Sequence, residues 1–313
     1  MFKTSLAFLG LLFAACFSLF EPSKLADHSI FFSRGENIYE IIKKDNSFKV
    51  GLLFCVAHVV DHIRRRMQPG EYVIHHNETA CSVLQKIFEG NNVTRKITIP
   101  EGLTTQMIVE ILNKNEMLTG EIKEIPEEGS LMPSTYFYKF HDTRESIIIK
   151  MKQQMGLVIS KVDKQNKTNL STKETIILAS IIEKEVKQEE ELRLVSSVFH
   201  NRLRKKMRLQ SCPTVIYAIS NGYGKINRKL TKEDIAVQHP FNTYRVAGLP
   251  PTPICCPGEK AITAAMHPAD TTFLYFVLST DDTHHNFSGN FQGHRKNIKS
   301  LKKSSARNYT KTS

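Results

Sequence analysis

Residues 4–20 carry no charge and are rich in Leu, Phe and Ala, with Lys3 before them and Glu21 after. A run of this length lies between the apolar part of a signal peptide and a full membrane span. It predicts an uncleaved N-terminal anchor, residues 1–20. A cleaved signal is one alternative, and a lipoprotein, read from Phe13-Ala14-Ala15-Cys16, is another. The cation ahead of the run places the body of the chain across the membrane, outside the cytoplasm.

Lys and Arg number 43 against 31 Asp and Glu, a formal net charge of +12. Such a balance favours an acidic partner: nucleic acid, anionic lipid or an acidic polymer. An exported nucleic-acid binder is the reading driven by charge alone. The chain lacks the interleaved aromatic and basic motif that reading needs, so no nucleic-acid partner is expected. The six cysteines follow no metal spacing, and His285 and His294 have no third ligand placed to join them. Neither metal nor cofactor is expected. Cys55 and Cys81 could pair in an oxidising compartment, or remain free buried thiols.

Its 313 residues suffice for two or three small domains. Residues 29–32 read as a strand, 35–44 and 50–67 as helices, 71–74 as a strand and 79–88 as a helix stopped by Gly90. Strand, two helices and strand form a small unit of the kind that binds sugars. A strand at 96–99 then stops at Pro100-Glu101-Gly102, and Thr104 or Thr105 caps a helix to Leu112. A Pro/Gly-punctuated loop, a helix over 144–162 and a polar linker follow. The last unit opens with helices at 173–187 and 190–204. It continues through a Gly/Pro/Asn-rich stretch to a strand at 273–278 and a His-rich loop. From Lys302 the composition is that of a basic, disordered tail.

The helix opening the last unit ends in two acids, Glu183 and Glu185. Residues three and four apart share a helix face. Glu185 therefore lies with Ile181, Ile182 and Leu178, and Glu183 over Ala179 and Ser180. A carboxyl on the apolar side is poorly solvated, so its pKa rises toward the range of a general acid near neutral pH. The competing reading is an acid that edges the core, with Glu183 and Lys187 as an i,i+4 pair.

Leu178-Ala-Ser-Ile-Ile-Glu-Lys-Glu185 resembles the catalytic helix of the endolytic murein transglycosylases, the MltG or YceG-like family. The resemblance continues in family order through Val198-Phe-His-Asn-Arg-Leu203 and Met207-Arg-Leu-Gln-Ser-Cys-Pro-Thr-Val-Ile-Tyr217. Further blocks are Phe241-Asn-Thr-Tyr244, Gly248-Leu-Pro-Pro-Thr-Pro-Ile-Cys255, His267-Pro268, Leu274-Tyr-Phe-Val277 and His285-x-Phe-Ser288. Upstream, Gly70-Glu-Tyr72, Ile99-Pro-Glu-Gly102 and Pro133-Ser-Thr-Tyr136 also fit.

The resemblance implies an α+β protein: a membrane helix, a LysM-like α/β subdomain over 21–95, a linking segment over 96–171, a lysozyme-like α+β catalytic domain over 172–301 and a basic tail over 302–313. It implies cleavage of MurNAc-β-1,4-GlcNAc bonds inside nascent peptidoglycan strands, leaving 1,6-anhydroMurNAc ends and limiting strand length. The implied setting is the cell inner (cytoplasmic) membrane, with the enzyme on its outer side near glycan-synthesising enzymes. Glu185 maps to the family's catalytic acid/base. Gln210, Thr214, Tyr217, Asn242 and Tyr244 offer hydroxyl and amide groups for the sugar. For Asn242 a loop-fixing hydrogen bond is an equal alternative.

The chain departs from the family at Cys212, where Asp is usual, at Cys256, where Asn is usual, and at Phe241, where Tyr is common. Loss of the acid at 212 keeps open a non-catalytic wall-binding protein. A hydrolytic muramidase is the other alternative, although it calls for a positioned water and usually a second carboxylate.

Overall fold

The computed structural model describes residues 27–32, 68–163, 168–279 and 283–309. The apolar run at 4–20, the expected helices at 35–44 and 50–67, and the Cys55–Cys81 pair lie outside the described residues. Among the described residues no helix is long and apolar enough to cross a membrane.

Helices and strands alternate along the chain: β1 (His28–Phe32), β2 (Gly70–Ile74), α1 (Ala80–Glu89), β3 (Thr94–Thr98), α2 (Thr105–Asn113), β4 (Thr135–Lys139), α3 (Arg144–Asp163), α4 (Thr172–Glu185), α5 (Leu192–Arg204), α6 (Cys212–Ile219), α7 (Lys232–Ala236), α8 (Glu259–Met266), β5 (Tyr275–Leu278), β6 (His285–Ser288) and α9 (Phe291–Tyr309). The strands form pairs, β1 with β2, β3 with β4 and β5 with β6. The chain divides into two compact units.

The first unit takes Met1–Ile97 with Glu116–Gly120 and Phe137–Thr143. β1 and β2 run antiparallel, with His28 opposite Ile74 and Phe32 opposite Gly70. Helix α1 starts at Thr79, whose hydroxyl accepts from the Ser82 N–H, and ends at Gly90 in the left-handed region that glycine adopts without strain. Tyr72 and Ile87 are the buried heart of this unit, with Ile30 and Val83 against them. Glu71 is almost fully buried yet ionisable. Arg95 meets its two oxygens with a two-pronged pair, both contacts 2.7 Å. That guanidinium holds the Glu71 carboxyl below its ordinary pKa.

The second unit holds Thr98–Asn115, Glu121–Tyr136 and Arg144–Ser313. Helix α4 is its axis. Ser171 caps it in a full capping box with Glu174, which explains a sharp start just after the polar linker. Every residue from Thr175 to Ile182 is buried, so the helix is covered on all sides. Leu178, Ile181 and Ile182 pack with Val195 and Phe199 of α5, Ile262 and Ala265 of α8, Met155 and Val158 of α3, and Leu209 and Ile254 from connecting segments.

The motif on α5 works as a set of tethers. His200 Nε2 lies 2.8 Å from the Ala265 carbonyl. The Asn201 amide donates to the carbonyls of Thr271 and Phe273. Arg202 donates to the carbonyls of Leu274 and Leu209, both at 2.7 Å. Buried carbonyls outside regular structure need donors, and long polar side chains on one helix supply them.

Several elements differ from the expectation. The Gly/Pro/Asn-rich stretch contains α6 and α7, which are too short to show a helical period. The expected helix at 190–204 begins as a 3-10 turn, Glu189–Glu191, before α5. The His-rich loop carries β6, which pairs antiparallel with β5, Phe276 opposite Phe287. The basic end is helical through Tyr309 rather than disordered from Lys302. Helix α9 meets the hairpin through Phe291 and His294 against Tyr275, contacts that composition does not report.

Candidate active site

Glu185 is the last residue of α4, and the chain turns extended at Val186. The residue is half-buried by exposed area, but its carboxyl is enveloped by protein. Burial raises its pKa above the ordinary carboxylate value, opposed by a hydrogen bond from Ser211 and by the charges of His285 and Arg202. The helix C-terminus adds to the rise, since its partial negative charge disfavours an anion.

Ser211 Oγ donates to Glu185 Oε1 at 2.6 Å. The chain reaches this position through Gln210, which adopts φ +52°, a left-handed bend. Ser211 is also the N-cap of α6, but its hydroxyl makes no cap bond, and Pro213 removes one of the N–H groups it would have served. The hydroxyl is therefore free for Glu185. Behind it lies a buried chain of hydroxyls. Thr214 Oγ1 donates to the Ser211 carbonyl at 2.7 Å and lies 2.8 Å from Thr243 Oγ1, which accepts from the Ser211 N–H.

Arg202 is buried, with its charge facing carbonyls, the Gln210 side-chain oxygen at 3.4 Å and the ring of Tyr275. His285, at the start of β6, is held by Glu191, which accepts its backbone N–H and lies against its Nδ1, both at 2.6 Å. Cys212 is exposed. Its Sγ lies 3.1 Å from Tyr244 Oη, and both groups feel the charge of Glu185.

The residues expected to face the sugar divide. Gln210 is exposed and Tyr244 half-buried beside Cys212 and Glu185. Thr214 is fully buried and acts behind Ser211. Asn242 is also fully buried. Its amide donates to the carbonyls of Ile235 and Val237, and its oxygen accepts from the Tyr244 N–H, so it shapes the loop and has no face left for a ligand. Tyr217 packs on Phe241 and points its hydroxyl at Glu128, 3.4 Å away. Burial pushes the Tyr217 hydroxyl up to about 12.

Glu128 is a second buried acid in this unit, raised by burial. It is tied down by the N–H and hydroxyl of Thr105 and the N–H of Gly129. Glu183, the other acid of α4, accepts the Gly258 N–H at 3.0 Å, at the start of α8. Burial raises it also. The two α4 acids are thus separated by their partners: Glu183 accepts from the start of a helix, whereas Glu185 accepts the Ser211 hydroxyl. A concavity of about 1250 Å3, lined by Arg193, His200, Arg204 and His267 among others, includes none of the Glu185 group.

Ser211, Arg202 and Glu191 were not singled out from the sequence, and His285 was weighed there only as a metal ligand. Arg202 and Ser211 lie inside quoted motif blocks, and that was the available signal. Glu191 sits in a charge run that reads as a solvated face.

Fold and site together define a mixed helix-and-strand protein with a candidate general acid at the end of its central buried helix. The chain belongs to the YceG-like family, whose model matches residues 33–300. It is 37% identical over 169 residues to the endolytic murein transglycosylase of Bacillus subtilis, covering 53% of this chain and 46% of that protein. It is 27% identical over 315 aligned positions to the endolytic murein transglycosylase of Streptococcus pneumoniae, covering 84% and 56%. The chain thus spans about half the length of the curated relatives it matches. A crystal structure of a yceG-like protein from Listeria monocytogenes superposes with a TM-score of 0.54 at 29% identity, covering 88% of this chain and 99% of that one.

Proposed function

We propose that this protein is a lytic transglycosylase that cuts within peptidoglycan glycan strands, with Glu185 as both acid and base. Glu185 protonates the glycosidic oxygen between MurNAc and GlcNAc, and the C1–O bond breaks. The carboxylate so formed then takes the proton of the C6 hydroxyl on the same MurNAc, whose oxygen closes on C1 to give the 1,6-anhydro ring. No water is consumed. The observation that carries this reading is the buried Glu185 carboxyl with its raised pKa, held by Ser211. The names of the curated relatives support it.

Hydrolysis by the two-carboxylate route is less well supported. Glu128 and Glu183, the other raised acids of this unit, are each held by partners of their own, Thr105 and Gly129 for the first and the Gly258 N–H for the second. Within this reading the second unit is a lysozyme-like catalytic domain and the first a LysM-like glycan-binding unit. Residues 4–20 anchor the chain at the cytoplasmic membrane with the enzyme on its outer side, near glycan-synthesising enzymes. Gln210 and Tyr244 contact the sugar.

The test is mass spectrometry of nascent, uncrosslinked peptidoglycan incubated with the full chain in detergent. Internal cuts ending in 1,6-anhydroMurNAc, absent with Glu185→Gln, are expected. Reducing ends instead would establish a hydrolase, and a folded protein that binds glycan without cutting it would establish a binding protein.

A further inference from the structure

The backbone of residues 208–211 is held from two sides. Arg202, near the end of α5, sends Nη1 to the Leu209 carbonyl at 2.7 Å and to the Arg208 carbonyl at 3.2 Å. The same nitrogen lies 3.4 Å from the Gln210 side-chain oxygen. Its Nε goes to the Leu274 carbonyl at 2.7 Å, just before β5. From the other side Thr243 accepts the next two N–H groups. Gln210 donates to its carbonyl at 3.1 Å and Ser211 to its hydroxyl at 3.0 Å.

Between these anchors the chain takes a left-handed bend at Gln210, φ +52°. A residue with a Cβ enters that region at a cost and stays only where its surroundings over-determine it. Gln210 is exposed, so burial of its own side chain does not impose the bend. The backbone anchors on either side do. Ser211 follows directly, is 1% exposed, and donates its hydroxyl to Glu185 Oε1 at 2.6 Å. With an ordinary φ at 210 the chain leaves in another direction and carries that hydroxyl off the carboxyl.

Arg202 has the geometry for this task. It is 7% exposed, and its planar fork reaches carbonyls in two directions at once. The guanidinium carbon lies 5.2 Å from the centre of the Tyr275 ring, a contact that limits its freedom to turn.

We propose that Arg202 is a positioning residue whose guanidinium holds residues 208–211 in the left-handed bend that delivers the Ser211 hydroxyl to Glu185. It acts through the backbone and exchanges no proton. The proposal rests on the reading of Glu185 as the acid and deepens it.

The test is an isotope-edited infrared titration of the Glu185 carboxyl in the full-length protein without substrate. Wild type, Arg202→Lys, Ser211→Ala and the double variant are compared. Lysine keeps the charge but cannot reproduce the fork. Ser211→Ala removes a hydrogen bond to the charged form and moves the titration upward. Arg202→Lys is expected to move it the same way, and the double variant no further than Ser211→Ala alone, because both changes break one linkage. Adding Gln210→Gly to Arg202→Lys is expected to bring the titration back toward wild type, since glycine takes the bend without a Cβ. In the cleavage assay Arg202→Lys lowers kcat about tenfold, as loss of the Ser211 bond does.

An unmoved titration in folded Arg202→Lys overturns the proposal, as does a shift that adds in full to that of Ser211→Ala. If Arg202→Lys does not fold, Gln210→Pro, at an exposed position, sets φ to about −65° and forbids the bend directly. An upward titration there supports the proposal, and an unmoved one overturns it. No turnover is needed for these titrations. A wild-type protein that cuts no glycan but shows these shifts would sink the functional reading and leave the role of Arg202 intact.

Discussion

Ser211 donates its hydroxyl to Glu185 across 26 positions of sequence, at 2.6 Å. The bond favours the carboxylate, against the burial that favours the acid. Removing it in Ser211→Ala raises the Glu185 pKa further and loosens the carboxyl. The alkaline limb of the pH–rate profile is expected to move up, with kcat reduced about tenfold, the worth of one hydrogen bond to a charged group. Cleavage rates across pH check both effects.

The raised pKa of Glu185 also links stability to pH. The folded state binds the proton more tightly than the unfolded chain, so this contribution is fully present below the unfolded pKa and is lost as pH rises through the folded one. Glu185→Gln, which cannot ionise, is expected to melt about 2–4 °C above wild type at neutral pH. The gain should vanish in acid, and thermal melts at both pH values read it.

Cys212 is exposed, whereas Cys255 and Cys256 are buried. Alkylation at Cys212 places bulk beside Tyr244 and Glu185. Burial around the sulfur raises its pKa, so the reaction accelerates with rising pH. Iodoacetamide is expected to lower wild-type cleavage more than tenfold, while Cys212→Ser keeps its own starting activity under the same treatment. Peptide mapping of the labelled protein identifies the site.

Glu71 has the opposite linkage. Arg95 lowers its pKa, so its stabilisation is present above the unfolded pKa and is lost as pH falls through the folded one. Arg95→Ala leaves a buried carboxylate without its partner. Amide exchange at Tyr72 and Ile87 is expected to quicken at neutral pH, with little change in the α4 core. Mass-spectrometric hydrogen exchange distinguishes the two units.

Glu185 drew attention in the sequence because α4 announces itself by an apolar body and two terminal acids. The reason for choosing it over Glu183 changed with the structure. Helix α4 is buried from Thr175 to Ile182 on every side, so no single apolar face separates the two acids. Their partners do, a helix N-terminus for one and Ser211 for the other. Asn242 and Thr214 read as ligands because they are polar and lie in loop and motif segments, yet both point inward to satisfy buried groups.

The sequence by itself determined the longer helices, the strands between turn signals and the order of motif blocks that carries the family. These follow from local rules of period and capping that act within a few residues. Only the tertiary structure decided which polar groups converge. Arg202 with Gln210, Glu191 with His285 and Ser211 with Glu185 join separate elements. Local periodicity sets the face a side chain occupies but not the distant segment that covers it. Burial then obliges each polar group to find a partner in whatever segment that is.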